Sequence, residues 1–297
     1  MIRPSSLSKG SKVAIAAPAR AIKKEEIEYA VQWLSEKGFE AVYDERIFRC
    51  HHQFAGTDEE RALLLQEYLD SNDIDAILCA RGGYGTIRII DRLNFEKFRQ
   101  HPKWVIGYSD VTVLHAKLQS LGYESLHASM PINFSDNSAE SLESLYRVLI
   151  GENIDYIVDC QRFNEKKIIE AELVGGNISV LYSMLGSDIF PDTEGRVLFL
   201  EDLDEYLYHI DRMLIAMDRA AKISGVKAFL IGGLTQMHDN TINFGQSAED
   251  IISERAASYG IPVIFGIPAG HIKDNRALIL GRKIRLVIDD SVKIEFL

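Results

Sequence analysis

The chain has 297 residues, 46% hydrophobic and 26% charged, a composition that excludes a disordered, collagen-like or coiled-coil protein; its length predicts about two domains. Acidic residues number 44 and basic residues 33, a net charge of −11. That surplus argues against nucleic acid or an anionic membrane as the partner, since both select a basic footprint, but it leaves room for a small anion in a locally basic cleft. Cys50, Cys79 and Cys160 lack C-x-x-C spacing and read as reduced core thiols of a cytoplasmic protein. No apolar run approaches the roughly 18 residues of a membrane span.

Lys12–Ala19 opens the chain as a buried strand. It superficially resembles a signal peptide ending in A-x-A, but the apolar stretch is short, contains Pro18 and runs directly into a helical pattern. Glu25–Lys37 reads as a helix with Ile27, Val31 and Leu34 on one face. Phe39–Tyr43 is a short strand. Thr57 and Glu60 form a capping-box signature before the helix Arg61–Leu69. Asp75–Ala80 and Trp104–Tyr108 are apolar strands, each followed by a loop and a helix. This alternation predicts a parallel sheet covered on both faces, with ligands at the carboxyl ends of its strands.

The segment 151–167 is polar and irregular and reads as a linker between a domain at 1–150 and a second at 168–297. Beyond it come a strand Ile168–Val174, a helix from Ile178, a strand Val197–Leu200 and a long helix from Tyr206 to Ile223. The strand Ala228–Ile231, helix Ala248–Tyr259 and strand Pro262–Ile267 follow. Ile284–Ile288 and Val292–Phe296 form a closing hairpin. This half reads as a second α/β or barrel-like domain.

Chemistry-bearing residues collect at predicted strand ends. Ser109, in Gly107-Tyr108-Ser109-Asp110, falls at a strand-to-helix turn. Such a turn exposes a hydroxyl beside unpaired backbone N–H groups, the logic of a nucleophile elbow without its G-x-S-x-G pattern; a plain helix cap is the alternative. Arg81-Gly82-Gly83-Tyr84-Gly85 can cradle an anion or form a tight turn. Gly175-Gly176-Asn177 reads as a glycine turn with Asn177 capping a helix. Glu201 follows a strand within the acidic run Glu201-Asp202-Leu203-Asp204-Glu205, and His271 follows another. No H-E-x-x-H or other metal spacing is present, so no metal and no cofactor are expected.

Ser, Glu and His in this order, with Ala17-Pro18-Ala19, the two glycine motifs, Leu200-Glu201-Asp202, the trailing Tyr208…Asp211-Arg212 and Gly270-His271, resemble the LD-carboxypeptidases of the serine peptidase S66 type, the muramoyltetrapeptide carboxypeptidases. The resemblance covers nearly the whole chain. It implies an N-terminal parallel-sheet α/β domain, a C-terminal barrel-like α/β domain and an active site in the cleft between them. By that likeness Ser109 is the nucleophile, His271 the base and Glu201 its acidic partner. The backbone of Gly82, Gly83 and Asp110 would form the oxyanion hole, while Arg81 and Asn177 are candidates for binding substrate. The implied substrate is a small cell-wall peptide, cut between an L-diamino acid and D-Ala by a cytoplasmic homodimer. Two rivals stand beside this reading. The microcin-immunity branch of the family hydrolyses aminoacyl-adenylate analogues and stacks the base on an aromatic loop; here neither Trp33 nor Trp104 lies between Ser109 and Glu201. The other is a non-catalytic nucleotide- or sugar-binding module.

Overall fold

A computed structural model describes residues 1–159 and 166–297, and Cys160 lies outside them. The first sheet is built from β1 (Lys12–Ala16), β2 (Glu40–Val42), β3 (Ala76–Cys79), β4 (Trp104–Gly107) and β5 (Ser125–His127), all parallel, in the order 2-1-3-4-5. β1, β3, β4 and β5 are almost wholly buried, as their continuous apolar sequence requires when helices cover both faces. The helices are α1 (Glu28–Glu36), α2 (Asp58–Asp70), α3 (Glu96–Gln100), α4 (Thr112–Ser120) and α5 (Ala139–Leu149). The capping box at α2 forms as its spacing predicts: Glu60 N–H donates to Thr57 Oγ1 at 3.2 Å, and Thr57 N–H to Glu60 Oε2 at 2.9 Å.

The second sheet joins β6 (Asp155–Asp159), β7 (Lys167–Asn177), β8 (Val197–Leu203), β9 (Ala228–Thr235), β10 (Val263–Ile264), β12 (Lys283–Ile288) and β13 (Ser291–Phe296) in the order 10-9-8-7-12-13-6. β7 to β10 run parallel; β12, β13 and β6 add antiparallel pairs. Helices α6 (Ile178–Ser183), α7 (Leu207–Arg219) and α8 (Ala248–Ala257) complete it. Both halves are therefore α/β, but the sheets are mixed. Among the described residues no helix is long and apolar enough to cross a membrane.

Four readings of the sequence need correction. Within the segment taken as a linker, Asp155–Asp159 is an edge strand with its tyrosine and valine buried; the period-2 alternation was there, hidden by charges on its outward face. The first sheet is not purely parallel, because β11 (Leu278–Leu280), from the far end of the chain, pairs antiparallel with β5. The glycines at 175 and 176 are not a turn; they end β7, where Gly175 passes so close to β8 that a Cβ would sit 2.0 Å from the Phe199 carbonyl oxygen. Finally, Cys50 is exposed and donates to the His52 carbonyl at 3.2 Å, whereas Cys79 lies in the core, its thiol pushed up to about 12 by burial.

Candidate active site

A cavity of about 370 Å³ opens between the two sheets, lined by Arg81, Gly82, Ser109, Asn177, Asp204 and His271 among others. That volume suits a small ligand. Its walls come from segments at or just beyond the carboxyl ends of β3, β4, β5, β7 and β8 and from the loop that follows β10. The strand-end rule thus locates the site in both halves at once.

Ser109 sits at φ +62°, a left-handed backbone that is costly for a residue with a Cβ and tends to mark functional turns. It opens a single 3₁₀ turn, Ser109–Val111, between β4 and α4. Buried groups hold that turn. His115 Nε2–H donates to the Gly107 carbonyl at 2.9 Å, and its Nδ1 accepts from the Ser125 hydroxyl at 2.9 Å; burial lowers His115 to about 3, so it stays neutral. Asp110 Oδ2 accepts from Thr86 N–H at 2.8 Å and Thr86 Oγ1–H at 2.6 Å, tying the serine turn to the glycine loop. Burial raises the Asp110 carboxyl, although Thr86 opposes this.

The glycine loop approaches the serine closely. A Cβ on Gly82 would lie 3.0 Å from Ser109 Cβ, 3.1 Å from its Oγ and 3.3 Å from Asp110 N. Gly83 takes a left-handed backbone (φ +105°), and a Cβ there would displace the Arg20 side chain. Arg61, buried at 2% exposure, donates to the carbonyls of Pro18 and Gly85 and fixes the loop from behind. Among the described residues, no acceptor takes the N–H groups of Gly82, Gly83 or Asp110. Arg81 lines the cavity and spends one N–H on the Ala21 carbonyl at 3.1 Å.

Glu201 and His271 form a pair across the second half. His271 Nδ1–H donates to Glu201 Oε2 at 2.6 Å, with the carboxylate wholly buried and the imidazole side chain 14% exposed. Glu201 lies within β8 rather than after it, at a register shift between Leu200 and Asp202. Gly270 makes room for the pair: a Cβ there would sit 2.8 Å from Glu201 Cβ. Burial alone would lower His271 and raise Glu201. Their mutual attraction and hydrogen bond outweigh it, so His271 lies above its ordinary value and Glu201 below. Glu205 instead bonds His209 Nδ1 at 2.6 Å. Ser109 and His271 line one cavity without a direct hydrogen bond between them.

Asn177 caps α6, its Oδ1 accepting from Val180 N–H at 3.1 Å, while its Nδ2–H donates to Asp202 Oδ1 at 2.9 Å. Asp202, in the sequence a part of the acidic run and of Leu200-Glu201-Asp202 with no role of its own, belongs to this wall. It is buried, and burial together with neighbouring Glu201 lifts it to about 7. Its place beside Glu201 in the acidic run was the available signal. Thr112 was also unmarked: its Oγ1 accepts from Asn177 N–H at 3.1 Å, joining the start of α4 to the end of β7. No local pattern announces a contact between residues so far apart in sequence.

The signatures of the LD-carboxypeptidase N-terminal and C-terminal domains match residues 13–128 and 170–286. The "Probable murein peptide carboxypeptidase" of Bacillus subtilis is 32% identical, over 95% of this chain and 90% of its own. The murein tetrapeptide carboxypeptidase of Pseudomonas aeruginosa is 29% identical, over 91% of each chain. The crystal structure of muramoyltetrapeptide carboxypeptidase from Oxalobacter formigenes superposes with a TM-score of 0.87 at 28% identity, covering 96% of this chain and 98% of that one. The microcin C7 self-immunity protein MccF of Escherichia coli is 24% identical over 93% of this chain and 89% of its own. Two packed α/β halves with a cleft between their strand ends define a two-domain carboxypeptidase fold. The chain belongs to the LD-carboxypeptidase family of peptidases.

Proposed function

We propose that this carboxypeptidase is of the serine type and removes the terminal D-Ala from a murein tetrapeptide, cutting after an L-diamino acid, as a cytoplasmic homodimer in cell-wall recycling. One observation carries the chemistry: His271, held from behind by the buried Glu201 carboxylate, lines one cavity with Ser109, which stands on a strained turn. Serine oxygen is a poor nucleophile until a base takes its proton. His271 accepts that proton as Ser109 Oγ bonds to the scissile carbonyl carbon, and Glu201 stabilises the imidazolium. The free N–H groups of Gly82, Gly83 and Asp110 receive the oxyanion. The C–N bond then breaks, and D-Ala leaves with the proton from His271. Water, deprotonated by His271, opens the acyl-enzyme and restores Ser109. The remaining donors of the Arg81 guanidinium are the candidate anchor for the substrate carboxylate; Asn177 shapes the same wall.

Tetrapeptide specificity draws its support from the names of the relatives and from physical reasoning about length. A carboxypeptidase measures the distance from an anchored carboxylate to the reacting carbonyl, so a pentapeptide presents the wrong bond. The two tryptophans speak against the microcin-immunity reading: Trp104 is fully buried in β4, and Trp33 packs edge-on against Phe134, so neither is available to stack on a nucleobase. Fluorophosphonate labelling separates an enzyme from a binding module. The expected result is one adduct on Ser109, absent in Ser109→Ala; an unlabelled wild-type protein would remove the serine mechanism.

A further inference from the structure

One polar side chain of the cavity is not used by the mechanism above. Asn133 closes a single 3₁₀ turn, Pro131–Asn133, in the chain beyond β5, and it lines the cavity with Tyr108, Ser109 and His271. Its backbone is fixed on both sides. Asn133 N–H donates to the Met130 carbonyl at 2.8 Å, and the Asn133 carbonyl accepts from Asp136 and Asn137 N–H, each at 2.9 Å. Ile132 N–H donates to the Ala80 carbonyl at 3.1 Å, so Arg81 and Asn133 each directly follow one partner of that bond. Tyr108 fixes the side chain. Its hydroxyl donates to Asn133 Oδ1 at 3.0 Å, and its ring packs on His271 with centroids 4.8 Å apart at 62°. Burial holds the Tyr108 phenol above its ordinary range, so it stays protonated and keeps donating. With Oδ1 engaged, the amide offers only its N–H groups, for which no acceptor stands among the described residues.

The two walls of the cavity differ in character. The first half contributes donors: the Arg81 guanidinium, the Asn133 amide and the unclaimed N–H groups of Gly82 and Gly83. The second half contributes the acidic side chains of Asp202 and Asp204. A substrate carboxylate is attracted to the first wall and repelled by the second. In the mechanism above the departing D-Ala takes its proton from His271, so its carboxylate lies on the His271 side, where Tyr108 holds Asn133. We propose that Asn133 is a specificity-determining residue: its amide N–H groups donate to the terminal carboxylate of the substrate, beside the charge of Arg81. Arg81 supplies attraction and Asn133 supplies direction. Because one tyrosine touches both the base and the amide, the carboxylate is held at a set offset from the imidazole that protonates the leaving nitrogen.

This inference rests on the carboxypeptidase mechanism proposed above. Its test compares kcat/KM on a tetrapeptide stem with kcat/KM on the same stem ending in D-alaninamide, for wild type, Asn133→Asp, Asn133→Ala and Tyr108→Phe. Wild type should favour the free acid. Asn133→Asp keeps an acceptor for the Tyr108 hydroxyl but puts negative charge where the donor was, and Asn133→Ala removes the donor. Each should lower the acid-to-amide ratio by about tenfold to a hundredfold, the usual contribution of a hydrogen bond to a charged group. Tyr108→Phe, which keeps the ring on His271 and frees the amide to turn, should lower the same ratio by about three- to tenfold. An effect through packing alone would slow both substrates equally; a ratio unchanged in the two Asn133 variants, or a wild type indifferent to the terminal charge, would overturn the proposal. Fluorophosphonate labelling separates this from the mechanism. A wild type that labels on Ser109, with an unchanged ratio in Asn133→Asp, contradicts the anchor alone. An unlabelled wild type contradicts the serine mechanism, and the ratio still decides the anchor.

Discussion

On the proposed serine mechanism His271 must be neutral to accept the Ser109 proton, and Glu201 holds it above its ordinary value near 6.5. kcat/KM should therefore climb with pH through a midpoint above 6.5 and fall away on the acid side; a profile flat from about pH 5 to 8 would be inconsistent with His271 as the base. The two candidate glutamates separate cleanly by geometry. Glu201→Gln should lower kcat on the order of 10²–10⁴-fold, as expected when the group orienting a catalytic histidine is neutralised. Glu205→Gln, whose side chain bonds His209 rather than His271, should change it by no more than a few-fold, and the opposite ranking in steady-state kinetics would reassign the role. Gly82→Ala would place a methyl 3.1 Å from Ser109 Oγ without demanding an unusual backbone. It should slow serine labelling by about 10²-fold while leaving the melting temperature nearly unchanged.

At the scale of elements, the strands and helices whose pattern is local were legible. β3, β4 and the hairpin of β12 and β13 follow directly from apolar runs and period-2 alternation, and the α2 capping box from four residues. Elements specified by distant partners were not. Leu278–Leu280 is too short to signal a strand, and only pairing with β5 makes it one. Glu201 looked like a loop residue because an acidic run reads as solvated, yet β8 continues to Leu203 with those carboxylates inside. Of the site, Ser109, Glu201, His271 and Gly82 were visible as motifs at strand ends. Thr112 was not, since a contact across the chain leaves no spacing to read, and Asp202 was visible only through its place beside Glu201 in the acidic run. The junction of β7 with α4 gives an element-level prediction. Gly176 has φ +147° and would set a Cβ 2.6 Å from Thr112 Oγ1, so Gly176→Ala should destabilise the protein by about 1–3 kcal/mol, measured as a lowered urea midpoint; an unchanged midpoint would mean the two halves meet less tightly here.

The whole molecule is two halves that share their cores. Each of the two buried apolar clusters draws residues from both: Ile15 with Leu200 and Met213 in one, Trp104 with Phe199 and Ile284 in the other. β11 crosses from the second half to complete the first sheet. Such continuity predicts one cooperative unfolding transition. Tryptophan fluorescence, which reports only on Trp33 and Trp104 in the first half, should share its midpoint with far-UV circular dichroism; separated midpoints would show the halves unfolding independently. The same union builds the site, because the first half supplies Ser109 and the unclaimed N–H groups and the second supplies Glu201 and His271. The most direct test of the function is incubation of wild-type and Ser109→Ala protein with tri-, tetra- and pentapeptide stems, reading released D-Ala by mass. D-Ala is expected from the tetrapeptide alone, and none with Ser109→Ala. Equal release from tetra- and pentapeptides, undiminished release by Ser109→Ala, or turnover of an aminoacyl sulfamoyl adenosine in place of the tetrapeptide would contradict it.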